Sequence, residues 1–177
     1  MRTEATQRVE LVFNLLDAND NGVLDAGDFT LMASRVVRAA PAADEAAKDA
    51  LRAAFRRYWT TLVDELDADG DGRVTFDEYS ACVLSPERFT ATVTEFAEAL
   101  AALGDPDGDG LIERPAFLAL MTAIGFERPN IEALFDAFGP DAEDRIAVAV
   151  WVEGIKDYYA PDKAGIAGDH LVGSVTV

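Results

Sequence analysis

The chain has very few of the residues that build disulfide scaffolds and zinc sites, and its basic residues are outnumbered. Among 177 residues there are one cysteine, Cys82, and one histidine, so neither a disulfide framework nor a His-x-x-x-His metal pair can form. Lys and Arg number 15 against 33 Asp and Glu, and the net charge of −18 repels nucleic acid and anionic membranes. We expect a protein of a reducing compartment, the cytoplasm by default.

Long apolar runs and catalytic motifs are missing as well. Glu10 and Asn14 interrupt the stretch from Val9 to Leu16, so we expect neither a signal peptide nor a membrane span. No G-x-x-x-x-G-K-[ST] motif occurs and no nucleophile has an evident base, so we expect a protein that is not an enzyme. Half of the residues are hydrophobic, which is enough to bury a substantial core.

Much of the acidity lies in three short runs with one pattern. They begin at Asp17, Asp67 and Asp105, and each has oxygen-bearing side chains at alternate positions followed by glycine. An aliphatic residue follows two places after each glycine, and an aromatic residue follows seven places after it. The same spacing from aliphatic to aromatic residue recurs at Ile146, which predicts a fourth loop over residues 139–150.

The segments around these loops carry apolar residues at helical spacing, as in the stripe of Val9, Val12, Phe13 and Leu16. The sequence therefore predicts an all-α fold of four helix-loop-helix units in two pairs, with short β bridges between paired loops. The first pair is assigned to residues 1–85, with loops 17–28 and 67–78. The second is assigned to residues 86–177, with loops 105–116 and 139–150 and a tail at 160–177.

The second loop carries a complete set of oxygen ligands for calcium. Calcium takes roughly six to eight oxygens, which such a loop supplies from positions 1, 3, 5, 7, 9 and 12, with glycine at position 6. The predicted ligands are Asp67, Asp69, Asp71, the Arg73 carbonyl, Thr75 directly or through water, and Glu78 as a bidentate ligand. Residues 67–78 are therefore predicted to bind Ca²⁺.

The first loop has the same pattern with a shorter last ligand. Its predicted ligands are Asp17, Asn19, Asn21, the Val23 carbonyl, Asp25 and Asp28. Aspartate at position 12 is one methylene shorter than glutamate, which lowers the coordination number and the selectivity against magnesium. We expect a weaker calcium site at which Mg²⁺ competes; the alternative is a loop that only ties two helices together.

The third loop is incomplete, and the fourth has lost its ligands. The candidate ligands in the third loop are Asp105, Asp107, Asp109, the Leu111 carbonyl and Glu113, but position 12 is Ala116, which leaves a weak site and an empty loop as alternatives. The fourth loop begins at Gly139 and ends at Val150, so it cannot assemble a cage. Its Ile146 is expected to pair with Ile112. Two calcium sites are expected, and a third is possible. The affinity of the loops is expected to fall with the residue at position 12, in the order Glu78, Asp28, Ala116, Val150.

These loops resemble the EF-hand superfamily. Within it, the uneven decay of the loops, the long first interval and the ending Tyr158-Tyr-Ala-Pro-Asp-Lys-Ala-Gly-Ile-Ala-Gly168 resemble the sarcoplasmic calcium-binding proteins and their bacterial relatives of the calerythrin type. The resemblance spans nearly the whole chain. It implies that the two pairs pack into one compact globule and that the protein is an intracellular calcium buffer or storage protein. The departures at Ala116 and Asp28 mean that the number of ions does not carry over.

Two other functions fit parts of the sequence. A calcium sensor opens a helix pair and exposes a groove, often rich in methionine, to a partner protein, but Met32 and Met121 fall at core-facing positions. Light-emitting relatives with this architecture hold a chromophore in a central cavity, for which His170, Trp59 and Trp151 would be the residues to consider. A buffer is therefore predicted, with a sensor as the alternative and a carrier of an apolar small molecule as the more distant one.

Overall fold

The computed structural model describes residues 2–66 and 70–173, with the backbone alone at residues 65 and 66. Asp67 and Asp69 lie outside the described residues. Within them the chain forms α-helices, short β-strands and a 3₁₀ helix. The elements are α1 (Thr3–Leu16), β1 (Val23–Leu24), α2 (Ala26–Arg38), α3 (Glu45–Leu66), β2 (Val74–Thr75), α4 (Phe76–Val83), α5 (Pro86–Leu103), β3 (Leu111–Glu113), α6 (Arg114–Ile124), α7 (Arg128–Ala137), β4 (Arg145–Ala147), α8 (Val148–Tyr158) and the 3₁₀ helix (Ala167–Val172).

The order of these elements confirms the four predicted helix-loop-helix units. Each unit is two consecutive helices with a strand between them, from α1 and α2 through to α7 and α8. Helix α5 begins at Pro86, directly after Ser85. Proline suits this position since its fixed φ matches the helix and the first turn needs no backbone N–H.

The short strands join the loops in pairs. β1 and β2 are antiparallel and place Leu24 opposite Val74, while β3 and β4 place Ile112 opposite Ile146. All four side chains are buried. The predicted bridge between the third and fourth loops is confirmed, and it fixes the register of one loop against the other.

The core runs through both halves of the chain. Helix α3 packs against α5, α5 against α8 and α2 against α6. Phe55 of α3 meets Phe96 of α5 edge to face with ring centroids 5.1 Å apart, and Tyr58 meets Phe89 at 4.9 Å. Such pairs add about 0.5–1.5 kcal/mol beyond the area they bury. The implied compact globule is confirmed, since the two pairs share one core.

The helices also account for the spacing of the loops. The 22 residues of α3 produce the long interval between the first two loops. The two pairs are joined closely, because α4 ends at Val83 and α5 starts at Pro86. Within the described residues, no helix combines the length and the apolar character needed to cross a membrane.

A buried arginine ties the first helix to the C-terminal segment. Arg8 has no exposed surface, and its Nε donates to the Tyr158 carbonyl at 2.7 Å while Nη1 bonds Asp169 Oδ1 at 2.7 Å. Nη2 donates to the carbonyls of Ala160 and Lys163 at 3.0 and 3.1 Å. This contact is not visible in the sequence, because the partners are about 150 residues away along the chain.

Candidate metal centres

The first loop is folded by its own candidate ligands. Asp17 accepts hydrogen bonds from the backbone N–H groups of Asn21 at 3.2 Å and Gly22 at 2.8 Å. Asn19 Oδ1 accepts from the Asn21 N–H at 3.2 Å, and Asn21 Oδ1 accepts from the Val23 N–H at 3.1 Å. Gly22 has φ +80°, a conformation that favours glycine and that turns the chain here. These bonds direct the oxygens of positions 1, 3 and 5 inward.

The last candidate ligand of this loop reaches back to its beginning. Asp28 lies in the first turn of α2, and its two carboxylate oxygens accept from the N–H groups of Ala18 at 3.2 Å and Asp25 at 3.0 Å. Asp25 in turn accepts from the Asp28 N–H at 3.2 Å and so caps the helix. Asp17 and Asp28 are only 8% and 4% exposed, so the first and last candidate ligands of this loop are both held largely out of bulk water.

The described part of the second loop repeats this arrangement. Asp71 Oδ1 accepts from the Arg73 N–H at 2.8 Å, as Asn21 does from Val23. Glu78 Oε2 accepts from the N–H and hydroxyl of Thr75 at 2.8 and 2.9 Å. Glu78 is therefore held at the start of α4 on the loop side. The remaining predicted ligands, Asp67 and Asp69, lie outside the described residues.

The third loop has the same hydrogen bonds as the first. Asp105 accepts from the N–H groups of Asp109 at 3.1 Å and Gly110 at 2.9 Å. Asp107 Oδ1 accepts from the Asp109 N–H at 3.2 Å, and Asp109 Oδ1 accepts from the Leu111 N–H at 2.9 Å. Oxygens of the three aspartates lie within 4.8 Å of one another, close enough to ligate one cation.

The proximity of these carboxylates affects their pKa values. Partial burial is the main cause that raises the pKa of Asp105; the Gly110 N–H lowers it, and hydrogen bonding with Asp107 and Asp109 raises it further. The Asp109 N–H lowers the pKa of Asp107. Of the other candidate ligands, Glu113 is exposed and makes no side-chain hydrogen bond that caps α6, and Ala116 supplies no oxygen. The third loop thus gathers half of a cage.

The fourth loop holds arginine side chains against its carboxylates. Asp141 Oδ2 accepts from Arg145 Nε at 3.1 Å and lies 3.0 Å from its Nη2, and Arg145 Nη2 also bonds Glu143. From the third unit, Arg114 bonds Asp144 with Nε at 2.7 Å and Nη2 at 2.9 Å. The sequence predicts that this loop lacks the ligands of a calcium cage, but it carries no sign that either arginine binds these carboxylates.

The donors of the first three loops suit a hard divalent cation. They are carboxylate, amide and carbonyl oxygens, the ligands that Ca²⁺ and Mg²⁺ prefer. The predicted carbonyl ligands stand at equivalent places, since Val23 and Leu111 begin β1 and β3 and Arg73 directly precedes β2. A cation would relieve the repulsion between the carboxylates that the third loop brings together.

A cavity of about 70 Å³ lies at the centre of the core. Apolar and aromatic side chains from both pairs line it, among them Phe55, Phe96, Met121, Phe138, Trp151 and Leu171. Of the residues considered for a chromophore, Trp151 lines this cavity, while His170 is exposed and Trp59 packs on Phe29 at 5.4 Å between ring centroids.

Comparison with known families agrees with the geometry of the first two loops. Residues 6–84 match the family model described as the EF-hand domain pair, a span that includes both loops. None of the curated proteins is a significant match to the sequence.

Solved structures with the same fold cover nearly the whole chain. One is a Streptomyces coelicolor calcium-binding protein that acts in prokaryotic calcium-mediated regulation. It is 23% identical with a TM-score of 0.71, over 90% of this chain and 99% of that one. A sarcoplasmic calcium-binding protein from amphioxus is 19% identical with a TM-score of 0.69, over 98% of each chain. The apoaequorin complex with (S)-HM-daCTZ is 17% identical with a TM-score of 0.74, over 97% of this chain and 91% of that one. At these identities the likeness concerns the fold.

Proposed function

Since residues 6–84 of this chain are an EF-hand pair and the described residues have the four-unit EF-hand fold, we propose that the chain is a cytoplasmic calcium buffer that binds Ca²⁺ in loops 17–28 and 67–78. Residues 105–113 supply a weaker third site. The observation that supports the proposal is hydrogen bonding shared by the described residues of the loops: the position-5 side chains of the first three loops accept from the N–H group two residues further on. The position-1 aspartates of the first and third loops accept from the N–H groups of positions 5 and 6. The two pairs, 1–85 and 86–177, act as one body because they share a core.

The proposed sites differ in strength through their last ligand. Glu78 can supply two oxygens, Asp28 has a shorter arm whose two oxygens already accept backbone hydrogen bonds, and Ala116 supplies none. Because affinity for Ca²⁺ rises with the number of charged ligands, loop 67–78 binds most tightly and loop 105–116 least. Mg²⁺ competes at loop 17–28, since it accepts a smaller coordination number.

A calorimetric calcium titration of single variants tests this order. Glu78→Gln removes the strongest phase, Asp28→Ala the intermediate one, and Asp105→Ala the weakest. Glu10→Gln, which changes an exposed glutamate of α1 outside the loops, leaves all phases in place. If Glu78→Gln left the strongest phase unchanged, the proposed ranking of sites would be wrong.

A buffer is favoured over a sensor by the burial of apolar side chains. Met32 and Met121 are buried, and the large hydrophobic side chains exposed within the described residues are Leu31 and Val150. A buffer binds calcium with little change in exposed apolar surface, so its fluorescence with a hydrophobic dye is nearly the same with calcium and with chelator. Dye binding or capture of an amphipathic peptide that appears only with calcium would favour the sensor, the role suggested by likeness to the Streptomyces protein.

The central cavity favours a more distant candidate, a carrier of an apolar small molecule. Its lining is apolar, but its volume of about 70 Å³ is well below the roughly 300–1,000 Å³ of typical ligand pockets. A ligand larger than a few heavy atoms would have to push the lining apart. Quenching of Trp151 fluorescence by an added apolar ligand, with one ligand bound per chain, would support this role.

A further inference from the structure

The fourth loop contains an ion pair at the point where the other loops gather oxygens for a cation. Asp141 and Glu143 stand at positions 3 and 5, which are ligand positions in the first three loops. Both are bonded to the guanidinium of Arg145, Asp141 through Nε and Nη2 and Glu143 through Nη2. The carboxylates at these two positions therefore already have a cation between them.

The backbone of the loop is folded around the same pair. Asp141 Oδ1 accepts from the N–H groups of Glu143 and Arg145, each at 3.0 Å. The Asp141 N–H in turn donates to the Arg145 carbonyl at 2.8 Å. Asp144 takes position 6 with φ +62°, so the turn that needs glycine elsewhere is made here by an aspartate.

A second arginine fastens this loop to the third unit. Arg114, the first residue of α6, forms the two bonds to Asp144 and also bonds Asp136 of α7 at 2.6 Å. Its guanidinium lies 4.4 Å from the centroid of the Phe135 ring. Planar guanidinium groups form two bonds to one carboxylate and stay charged at all accessible pH values, so a chelator that removes bound metal at neutral pH leaves these contacts in place.

We propose that Arg145 is a resident cation that takes the place of calcium in the fourth loop, with Arg114 as the clamp that holds this loop to the third unit. The paired loops 105–116 and 139–150 are then closed in the absence of metal, while the pair of loops 17–28 and 67–78 depends on calcium to reach the same closed state. This proposal concerns the chain without calcium, so it stands or fails separately from the affinities proposed above.

The contribution of each Arg145 ion pair to stability depends on how exposed its side chains are. Arg145 is about three-quarters buried as a side chain, whereas Glu143 is mostly exposed. Exposed ion pairs contribute little to stability, so most of the effect comes from Asp141, whose carboxylate binds the guanidinium and two backbone N–H groups together.

Hydrogen exchange in excess chelator tests the proposal on the full chain. In the wild type, the amides of β3 and β4 exchange slowly without calcium and those of β1 and β2 exchange fast. Arg145→Gln accelerates exchange across residues 139–150 by at least about fivefold, because the loop loses its cation and opens locally. Arg128→Gln is the matched control: it removes the same charge from an exposed pair with Glu132 in the same half and leaves exchange in this segment unchanged.

A fluorescence measurement gives a second readout. In a Trp59→Phe background, Trp151 is the sole tryptophan. It directly follows the fourth loop and packs against Phe117, with ring centroids 4.8 Å apart. Its emission in chelator is that of a buried indole, and Arg145→Gln shifts it to the red. If Arg145→Gln does not fold even with calcium, Arg145→Lys replaces it, with Arg128→Lys as control; lysine keeps the charge but not the fork, so a smaller acceleration is expected.

Two results would overturn the proposal. One is a wild-type chain whose β3 and β4 amides exchange as fast in chelator as those of β1 and β2. The other is a pair of matched variants, at positions 145 and 128, that exchange at equal rates across residues 139–150.

Discussion

The third and fourth loops lie side by side on one short sheet and balance charge in different ways. In the third, three aspartates bring their oxygens within 4.8 Å of one another; in the fourth, Arg145 lies against Asp141 and Glu143. The strand register even places Glu113 of one loop opposite Arg145 of the other. The comparison indicates two ways to balance the carboxylates of one turn, a cation taken from solution, as proposed for the third loop, and a guanidinium carried in the chain.

The comparison extends to the two halves. Both loops of the N-terminal pair have candidate ligands through position 12, whereas neither loop of the C-terminal pair does. We therefore expect calcium to act mainly on the N-terminal pair. Because α3 and α5 pack closely, that effect is transmitted to the stability of the whole chain.

The largest expected effect is the stabilisation of the chain by calcium. At free calcium about 100 times the dissociation constant, one site adds about 2.7 kcal/mol to the free energy of unfolding. For a chain of this size that raises Tm by about 5–10 °C, which a thermal scan by circular dichroism with calcium and with chelator would measure. Glu78→Gln should remove much of the increase and Glu10→Gln none of it. An equal Tm in calcium and in excess chelator would contradict the proposed sites.

Completing the third loop should have the next largest effect. Ala116→Glu supplies the missing ligand at position 12 and is expected to tighten calcium binding in that loop at least about tenfold, or about 1.4 kcal/mol. Calorimetry in the Glu78→Gln background isolates this site from the strongest one. Ala116→Gln, similar in size but neutral, should give a much smaller gain. Equal affinities for the two variants would mean that the third loop lacks calcium geometry for another reason.

Lengthening the last ligand of the first loop is expected to act more weakly. Asp28→Glu extends the side chain by one methylene, so we expect a gain of a few fold in calcium affinity and weaker competition by Mg²⁺. The hydrogen bonds that the two Asp28 oxygens accept from the N–H groups of Ala18 and Asp25 must break first, which limits the gain in calcium affinity. Asp77→Glu, the same change at an exposed position of α4, is the control. Stronger magnesium competition in Asp28→Glu would contradict the role given to the shorter arm.

The smallest expected effect is a pH dependence of the free energy of unfolding, whose sign differs between the third and fourth loops. The hydrogen bonds from Arg114 lower the pKa of Asp144 below its usual value of 3.8, so their stabilisation is present above that value and is lost as pH falls through the lower, folded pKa. The raised pKa of Asp105 acts in the opposite direction, because its destabilisation disappears on acidification.

This dependence can be measured as a difference between variants. In chelator, the urea midpoint of Arg114→Gln should fall below that of the wild type at pH 7, and the gap should narrow below about pH 4 as Asp144 becomes protonated. The gap between Arg128→Gln and the wild type serves as the comparison for the loss of a charge. A gap that stayed constant down to pH 3 would show that Arg114 acts through packing on Phe135 rather than through its carboxylates.

The sequence was sufficient to predict the features that repeat within the chain. The four units, the bridge between Ile112 and Ile146 and the burial of Met32 all follow from fixed spacing or from local chemistry. Each of these features depends on residues that are neighbours in sequence or equivalent in the repeat, so their pattern is visible without the fold.

The three structural arginines have partners that the repeat does not specify. Arg8 finds its partners at residues 158–169, and Arg114 binds Asp144 of the next unit. Arg145 stands at position 7, which contributes only its carbonyl in a calcium loop, and Arg73 occupies the same position in the second loop. The one available signal in the sequence was the four-residue spacing of Asp141 and Arg145 in a loop that has no ligand at position 12.

The burial of Arg8 also sets an order of events during synthesis. Its guanidinium is desolvated in the finished molecule, where it binds the carbonyls of residues 158, 160 and 163 and the carboxylate of Asp169. Because burying an unpaired charge is costly, α1 reaches its final place only after residues 158–169 have emerged from the ribosome. Until then Arg8 stays hydrated, and the apolar face of α1 waits for partners that are made about 150 residues later.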